Sequence, residues 1–474
     1  MKTIYAYMLI ISCSLFLESC KKFVEIDPPT TQLVTVKVFD NNESAIAALT
    51  GIYSRMNNDS TLPYTFSLQT GLEADELKNY STSTSMVQMY KNALNAIEAT
   101  TPNYWKLGYN YIYQANAVWE GCNTSTQLSP AVKKQLMAEA LFIRAYWTFY
   151  LTNLFGNVPL VTTTDYTINS KASNASKDQL YNQMIADLVK AEADLNVNYV
   201  DGTSVATTTD RIRPNQYAAA ALLARVYLYA GNYAAAEQEA TKVINYVSLY
   251  KIASINNVFL KTSSEAIWQI MMPMPSSIGN TYEGAYFNLG KVPASGLTNN
   301  ATVSTQLLNA FEPGDLRKIN WISSFTSGTQ VYYFPYKYKE KGSSTITEYT
   351  TPLRLSEQYL IRAEARAQQG TLSGAIGDTD VIRNRAGLTL IKDTNPNINK
   401  ADLLTVILRE RQVELFTEYG HRWLDLKRTG NVDAVMMQVC PLKGGTWSSY
   451  KQLWPIPQTE LQNDVNLSQN TGYN

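Results

Sequence analysis

Glu410, Glu414 and Glu418 recur at intervals of four residues near the C-terminus. On a helix that spacing puts three carboxylates on one face. Paired carboxylates are the machinery of glycoside hydrolysis, one protonating the leaving oxygen while the other acts as base or nucleophile. Like charges at this spacing also repel, by about 0.2–0.5 kcal/mol per pair, unless cations compensate them. Arg409, Arg411, Arg422, Arg144 and Arg385 are available for that purpose, so the glutamates read as structural ion pairs. His421 is the only histidine. It excludes a His-rich zinc site and leaves any Ser-His-Asp device a single possible base, in a segment with no local nucleophile motif. The expectation for His421 is packing in a buried polar group with Arg422, Trp423 and Asp425. No catalytic residue, metal or cofactor is expected.

Aromatic residues offer different chemistry. The chain has 32 Tyr and 8 Trp. A flat ring covers the C–H face of a sugar while amides and backbone groups bind the hydroxyl rim. Trp105, Tyr109, Tyr113, Tyr146, Tyr150, Tyr227 and Tyr233 fall at helical spacing and are expected to fill core or inter-helix grooves. The binding candidates are those in loop-like text: Tyr80 and Tyr90, Tyr282 and Tyr286, with Trp321 and Trp447 behind them.

Punctuation in the chain locates the elements that must position these residues. Helical periodicity begins near Asn42, spans Trp105 to Trp119, and restarts at Pro130 for a long helix closed by Phe155-Gly156-Asn157-Val158-Pro159. Residues 78–85 read as a polar loop, and residues 176–196 as another helix. Leu223, Ala224, Tyr227, Gly231, Tyr233, Ala236, Ala240 and Val243 sit at the consensus offsets of a tetratricopeptide repeat. A weaker match uses Ala363, Gly370, Leu372, Ala375 and Ile382, so two repeat units are expected to be separated by an insertion instead of forming a continuous solenoid. That insertion, about residues 258–353, contains Gly-rich turns and the run Tyr332-Tyr333-Phe334-Pro335-Tyr336, which suit loops and short strands.

The formal net charge is zero and only 17 % of residues are charged, which argues against a nucleic-acid partner. Lys2, an apolar stretch and Leu17-Glu18-Ser19-Cys20 read as a bacterial lipoprotein signal over residues 1–19. Cys20 would then be the lipidated N-terminus; the alternative is an ordinary thiol with cleavage elsewhere. Residues 20–41 read as a tether carrying Asp27-Pro28-Pro29, and residues 42–474 as one domain. Whether Cys122 and Cys440 pair is open.

Motifs in order along the chain resemble one family. They include Asp75-Glu76, Trp105 and Ala115-Asn116, then Glu139-Ala140-Leu141-Phe142-Ile143-Arg144-Ala145 and Leu154-Phe155-Gly156-Asn157-Val158-Pro159-Leu160. Arg362-Ala363-Glu364-Ala365, Ile382-Arg383-Asn384-Arg385-Ala386-Gly387-Leu388 and Glu410-Arg411 follow. Gly420-His421-Arg422-Trp423, Asp425-Leu426-Lys427-Arg428, Trp454-Pro455-Ile456-Pro457 and Gln469-Asn470-Thr471-Gly472-Tyr473 complete the set. Thr471 stands where proline is usual and Leu424 where phenylalanine is common. Together they resemble the SusD/RagB family of outer-membrane lipoproteins of Bacteroidetes, partners of SusC-like TonB-dependent transporters. The resemblance implies a mainly α fold of tetratricopeptide-like helix pairs with an irregular, loop-rich region carrying short strands. It also implies a non-catalytic protein at the cell surface that captures oligosaccharides, or in some members peptides. A surface glycoside hydrolase and a purely structural adaptor are the competing functions.

Overall fold

The computed structural model describes residues 35–59, 62–97, 104–272 and 278–473. The expected signal, Cys20 and Asp27-Pro28-Pro29 lie outside them; the last residues of the expected 20–41 tether do not run free, because Thr35–Val38 is helical and Phe39 is buried in the main core. The principal helices are α1 (Asn42–Asn58), α2 (Leu62–Glu73), α3 (Thr84–Tyr90), α4 (Tyr104–Thr124), α5 (Pro130–Phe155) and α6 (Lys177–Asp194). After these come α7 (Gln216–Tyr229), α8 (Tyr233–Asn245), α9 (Leu355–Gln368), α10 (Leu372–Arg385), α11 (Lys400–Leu415) and α12 (His421–Arg428). Their ends follow local chemistry. Pro130 opens α5, where its missing N–H has no helical partner to lose. Ser176 and Gln179 form a reciprocal capping box on α6.

Successive helices α4 to α9 pack each on the next, and α9 then receives α10 and α11. The predicted repeat is the α7–α8 hairpin. Ala224, Ala236, Ala240 and Val243 are fully buried between its helices, and Gly231 takes the left-handed φ of +76° that the turn requires. The weaker match is the α9–α10 hairpin, with Gly370 at φ +85°. One expectation is corrected here. The two units are contiguous in space, α8 lying directly on α9, because the chain between them loops away from the stack and returns. Tyr113 is a second correction: it is 51 % exposed. The other six helical aromatics pack in or against the main core.

The insertion contains β2 (Ala266–Ile270), β3 (Ala301–Val303), β4 (Ile322–Ser327), β5 (Gln330–Pro335) and β6 (Thr350–Arg354), joined by short helices. All pairing is antiparallel and two-stranded: β2 with β6, the β4–β5 hairpin, and β3 with β1 (Leu77–Asn79). Residues 78–85 are therefore not one loop. They begin in β1, where Lys78 is paired with Thr302, and end in α3.

What binds the insertion to the helices is buried charge. Glu414 accepts from Arg354 Nη1 at 2.6 Å, from Arg385, and from Arg317 at 3.2 Å. Glu410 accepts from Arg317 at 2.9 Å and Arg383 at 2.6 Å. Helix α11 ends at Leu415, so Glu418 is not on its face as expected. Thr417, Tyr419 and Gly420 take positive φ, and the resulting turn brings Glu418 back to Arg354 and Lys337. With Asp315 on Arg317 and Glu265 on Arg354 and Arg385, five carboxylates face five cations, all at most 8 % exposed in their side chains. Burial alone would raise the Glu414 carboxyl; Arg385, Arg354 and Arg317 outweigh it and hold the group well below its ordinary value.

The glutamates are ion-paired as read, but of the expected cations only Arg385 takes part. Arg411 binds Asp425, Arg422 binds Asp75, Arg144 binds Asp187, and Arg409 donates to the Ala310 carbonyl. Removing one member of a buried pair strands the other charge, at a cost of about 3–5 kcal/mol. Glu414→Ala should lose that much stability in urea denaturation, whereas Arg409→Ala should stay within about 0.5 kcal/mol of the parent.

Candidate functional site

Of the four tyrosines chosen from two segments, Tyr90, Tyr282 and Tyr286 meet in one small apolar cluster, and Tyr80 neighbours Tyr90 at its edge. Tyr90 and Tyr286 pack against buried Tyr64, Leu68, Leu72, Leu77, Met272, Tyr282, Phe287 and Ala301. Tyr282 and Tyr286 lie on the short helix Tyr282–Phe287, one turn apart, with ring centroids separated by 5.7 Å. Tyr286 also meets Tyr64 edge-on at 5.0 Å. Tyr80 directly follows β1, and Tyr90 ends α3. Burial, and next the neighbouring Tyr80, push the Tyr90 phenol up.

Asn299 and Asn300 tie these segments together. The Asn299 N–H donates to the Tyr286 carbonyl at 3.3 Å, and the Tyr80 N–H donates to the Asn300 carbonyl at 2.8 Å. The Tyr64 hydroxyl donates to Asn300 Oδ1 at 3.0 Å. The Tyr80 and Tyr286 backbones are thus held by one shared loop, and their rings need little reordering to receive a ligand. Tyr80, Tyr90 and Tyr286 are half-buried and present part of their surface outward; Tyr282 is 9 % exposed and mainly supports Tyr286.

Tyr332 was not among the candidates, yet its ring meets Tyr80 edge-on at 6.0 Å. It sits on β5 directly across from Phe325 of β4, so both project from the same hairpin face. The signal was the aromatic run at residues 332–336, which marked strand text without indicating which ring faces the site.

Both tryptophan candidates stand apart from this group. Trp321 is corrected to a core residue: it is fully buried, its indole N–H donates to the Ile255 carbonyl at 3.0 Å, and Lys337, Arg354 and Arg385 lie within 6 Å of its ring. Trp447 is half-buried, donates to Asp433 at 2.7 Å and packs edge-on against Trp423. His421 is buried 3.9 Å from Glu357. Burial, then Arg225 and Arg411, hold its imidazole well below the ordinary value, so it is neutral. Arg422, Trp423 and Asp425 are buried as expected but do not form one polar group with it: Arg422 pairs with Asp75, Asp425 with Arg411 and Arg428, and the Trp423 indole N–H has no hydrogen-bond partner among the described residues. Cys122 and Cys440 are both free thiols.

A sequence profile described as the SusD family matches residues 225–473, more than half of the chain. The chain belongs to the SusD family. A second profile, described as starch-binding associating with outer membrane, matches residues 22–228. SusD-like protein P25 of Formosa agariphila is 24 % identical over 98 % of each chain. The starch-binding protein SusD of Bacteroides thetaiotaomicron is 26 % identical over 78 % of each. Among solved structures, a SusD superfamily protein of Bacteroides vulgatus superposes with a TM-score of 0.78 at 19 % identity, over 92 % of this chain and 99 % of that one. A laminarin-binding SusD-like protein gives 0.74 at 23 % identity, over 91 % and 100 %. The mainly helical fold read from the sequence is the SusD fold.

In this SusD-family chain the helix that carries Tyr282 and Tyr286 also holds a buried acid, Glu283. Both carboxyl oxygens of Glu283 share a single side-chain donor, the Thr350 hydroxyl, at 3.1 and 2.9 Å. Burial raises its pKa to about 7, against the pull of its own backbone N–H and Thr350 and with Glu348 and Glu418 adding to the rise. The folded state therefore holds this proton more tightly than the unfolded chain. Its stabilising contribution is complete below the ordinary glutamate value and is lost as pH rises through about 7. The loss is at most about 3 kcal/mol. Glu283→Gln should flatten the fall in Tm between pH 5 and 8; an unchanged slope would assign that fall to other groups.

Proposed function

We propose that this SusD-family protein is a surface-exposed lipoprotein that captures an oligosaccharide and delivers it to a SusC-like TonB-dependent transporter in the outer membrane. The observation that carries the reading is the convergence of Tyr80, Tyr90, Tyr282 and Tyr286, with Tyr332 beside them, from segments far apart in the sequence. Preset aromatic faces rimmed by amide-bearing loops suit the alternating C–H and hydroxyl surface of sugars. Relatives named for starch and laminarin binding support the ligand class. Capture followed by release is served by weak binding, near the millimolar range that corresponds to about −4 kcal/mol. Diacylated or triacylated Cys20 would hold the protein firmly, since each buried methylene contributes about 0.8 kcal/mol.

The competing hydrolase reading needs carboxylates that reach substrate. Glu410, Glu414 and Glu418 are each at most 5 % exposed and occupied by arginines, which favours binding over hydrolysis. Joint replacement of Tyr80, Tyr90, Tyr282 and Tyr286 by Ala in residues 21–474 should abolish retention of the glycan selected from a panel in a chain that still folds by circular dichroism, at a Tm lowered by loss of the buried Tyr282 ring. Retained binding removes the face from the proposal. Release of sugar product, abolished by a single Glu→Gln change, would replace binding by hydrolysis. Co-purification with a TonB-dependent transporter tests the partner separately.

A further inference from the structure

A second concave site lies on the helical scaffold, between the α7–α8 turn, α9, α11 and the end of α12, and shares no lining residue with the tyrosine face. Its volume of about 370 Å³ falls within the range of small-ligand pockets, about 300–1,000 Å³. Gly231 lines it beside open space, with nothing within 4 Å of the position a Cβ would occupy.

The walls combine two kinds of surface. Tyr229, Tyr233, Leu404 and Leu408 supply apolar faces, and Gln368 and Asn431 supply amides. Among the described residues the Tyr233 hydroxyl and the Gln368 amide carry no hydrogen bond. Asn431 donates through Nδ2 to Thr429 Oγ1 at 2.9 Å, and its side chain does not cap the helix that follows. Its Oδ1 is therefore left to accept.

The floor selects against ions. Arg428 grips Glu364 through both terminal nitrogens and binds Asp425 through Nε at 2.8 Å, while Asp425 also accepts from Arg411 at 2.7 Å. Two guanidinium groups thus face two carboxylates, and no net charge remains for an ionic ligand. The Tyr229 hydroxyl and both terminal nitrogens of Arg411 are buried and, among the described residues, have no hydrogen-bond partner. Helical walls present no strand edge to an extended peptide, whereas aromatic faces, amides and neutrality match a sugar ring.

We propose that this cleft is a second carbohydrate site, taking one or two rings of an uncharged saccharide, with Tyr233, Gln368 and Asn431 as its hydrogen-bonding residues. The proposal rests on the glycan-binding reading above and places a further contact on a different surface.

The test is saturation-transfer NMR with maltose and laminaribiose as separate probes, on residues 21–474 of the parent, on the four-tyrosine loop variant, and on that variant also carrying Tyr233→Ala, Gln368→Ala and Asn431→Ala. Residual saccharide signal in the loop variant, weakened at least tenfold in apparent affinity by the cleft changes at unchanged Tm, is the expected result. Signal in the parent that vanishes in the loop variant overturns the second site and leaves the proposed function standing. Signal that survives all the replacements overturns the cleft assignment. Absence of signal in the parent with either probe overturns the cleft site, and the retention panel on the parent then decides the proposed function by itself.

Discussion

Arg354 ends β6 and begins α9, and its guanidinium meets Glu265, Glu414 and Glu418 at once. Most of the architecture depends on that junction. The insertion has only two-stranded sheets and short helices of its own, and sheets that small are marginal without packing against something larger. Charge holds it where strands alone would not. An apolar interface of equal volume would serve stability as well or better, because burying ions is costly before pairing returns the cost. A buried ionic lattice adds discrimination: Arg317, Arg354, Arg383, Arg385 and Lys337 each have few places where their charge can be neutralised, so the insertion docks in one register.

The tyrosine face inherits its geometry from that docking. Tyr282, Tyr286 and Tyr332 belong to the insertion, Tyr80 and Tyr90 to the segment between α2 and α4. Neither group makes the face by itself. The β1–β3 pairing and the Asn299–Asn300 bridge join them, so the aromatic surface exists only when the helical scaffold and the insertion are assembled.

What could be read from sequence divides by range. Helix ends were legible because proline, glycine and capping residues act over one turn, as at Pro130, Gly156 and Gly231. The charge state of Glu410 and Glu414 was legible as paired, but the partners were not. Arg411 and Arg422 are near in sequence yet project to Asp425 and Asp75, while Arg317 and Arg354 come from the insertion, whose path no local pattern fixes. Trp321 was misread for the same reason: its segment looks like loop, but it ends a short helix whose last side chain turns inward. Tyr80 with Tyr90, and Tyr282 with Tyr286, were chosen as two separate pairs. That Tyr90, Tyr282 and Tyr286 share one cluster with Tyr80 at its edge is a property of strand pairing across more than two hundred residues. Tyr332 escaped because aromatic residues on both faces of a strand erase the alternation that would orient it.

The path of the chain between α8 and α9 bears on how the protein is made. Each doubling of a loop adds only about 0.6 kcal/mol of closure entropy, so carrying a long excursion in the middle of a helical stack is thermodynamically inexpensive. The burden is temporal. Synthesis and export deliver the N-terminal helices first, and the outer face of α8 then has no neighbour until α9 arrives with the whole insertion already threaded. Contacts of such sequence separation form slowly, and uncovered apolar helix faces invite aggregation meanwhile. While that α8 face is uncovered, the half-built stack is the stage of folding most exposed to aggregation.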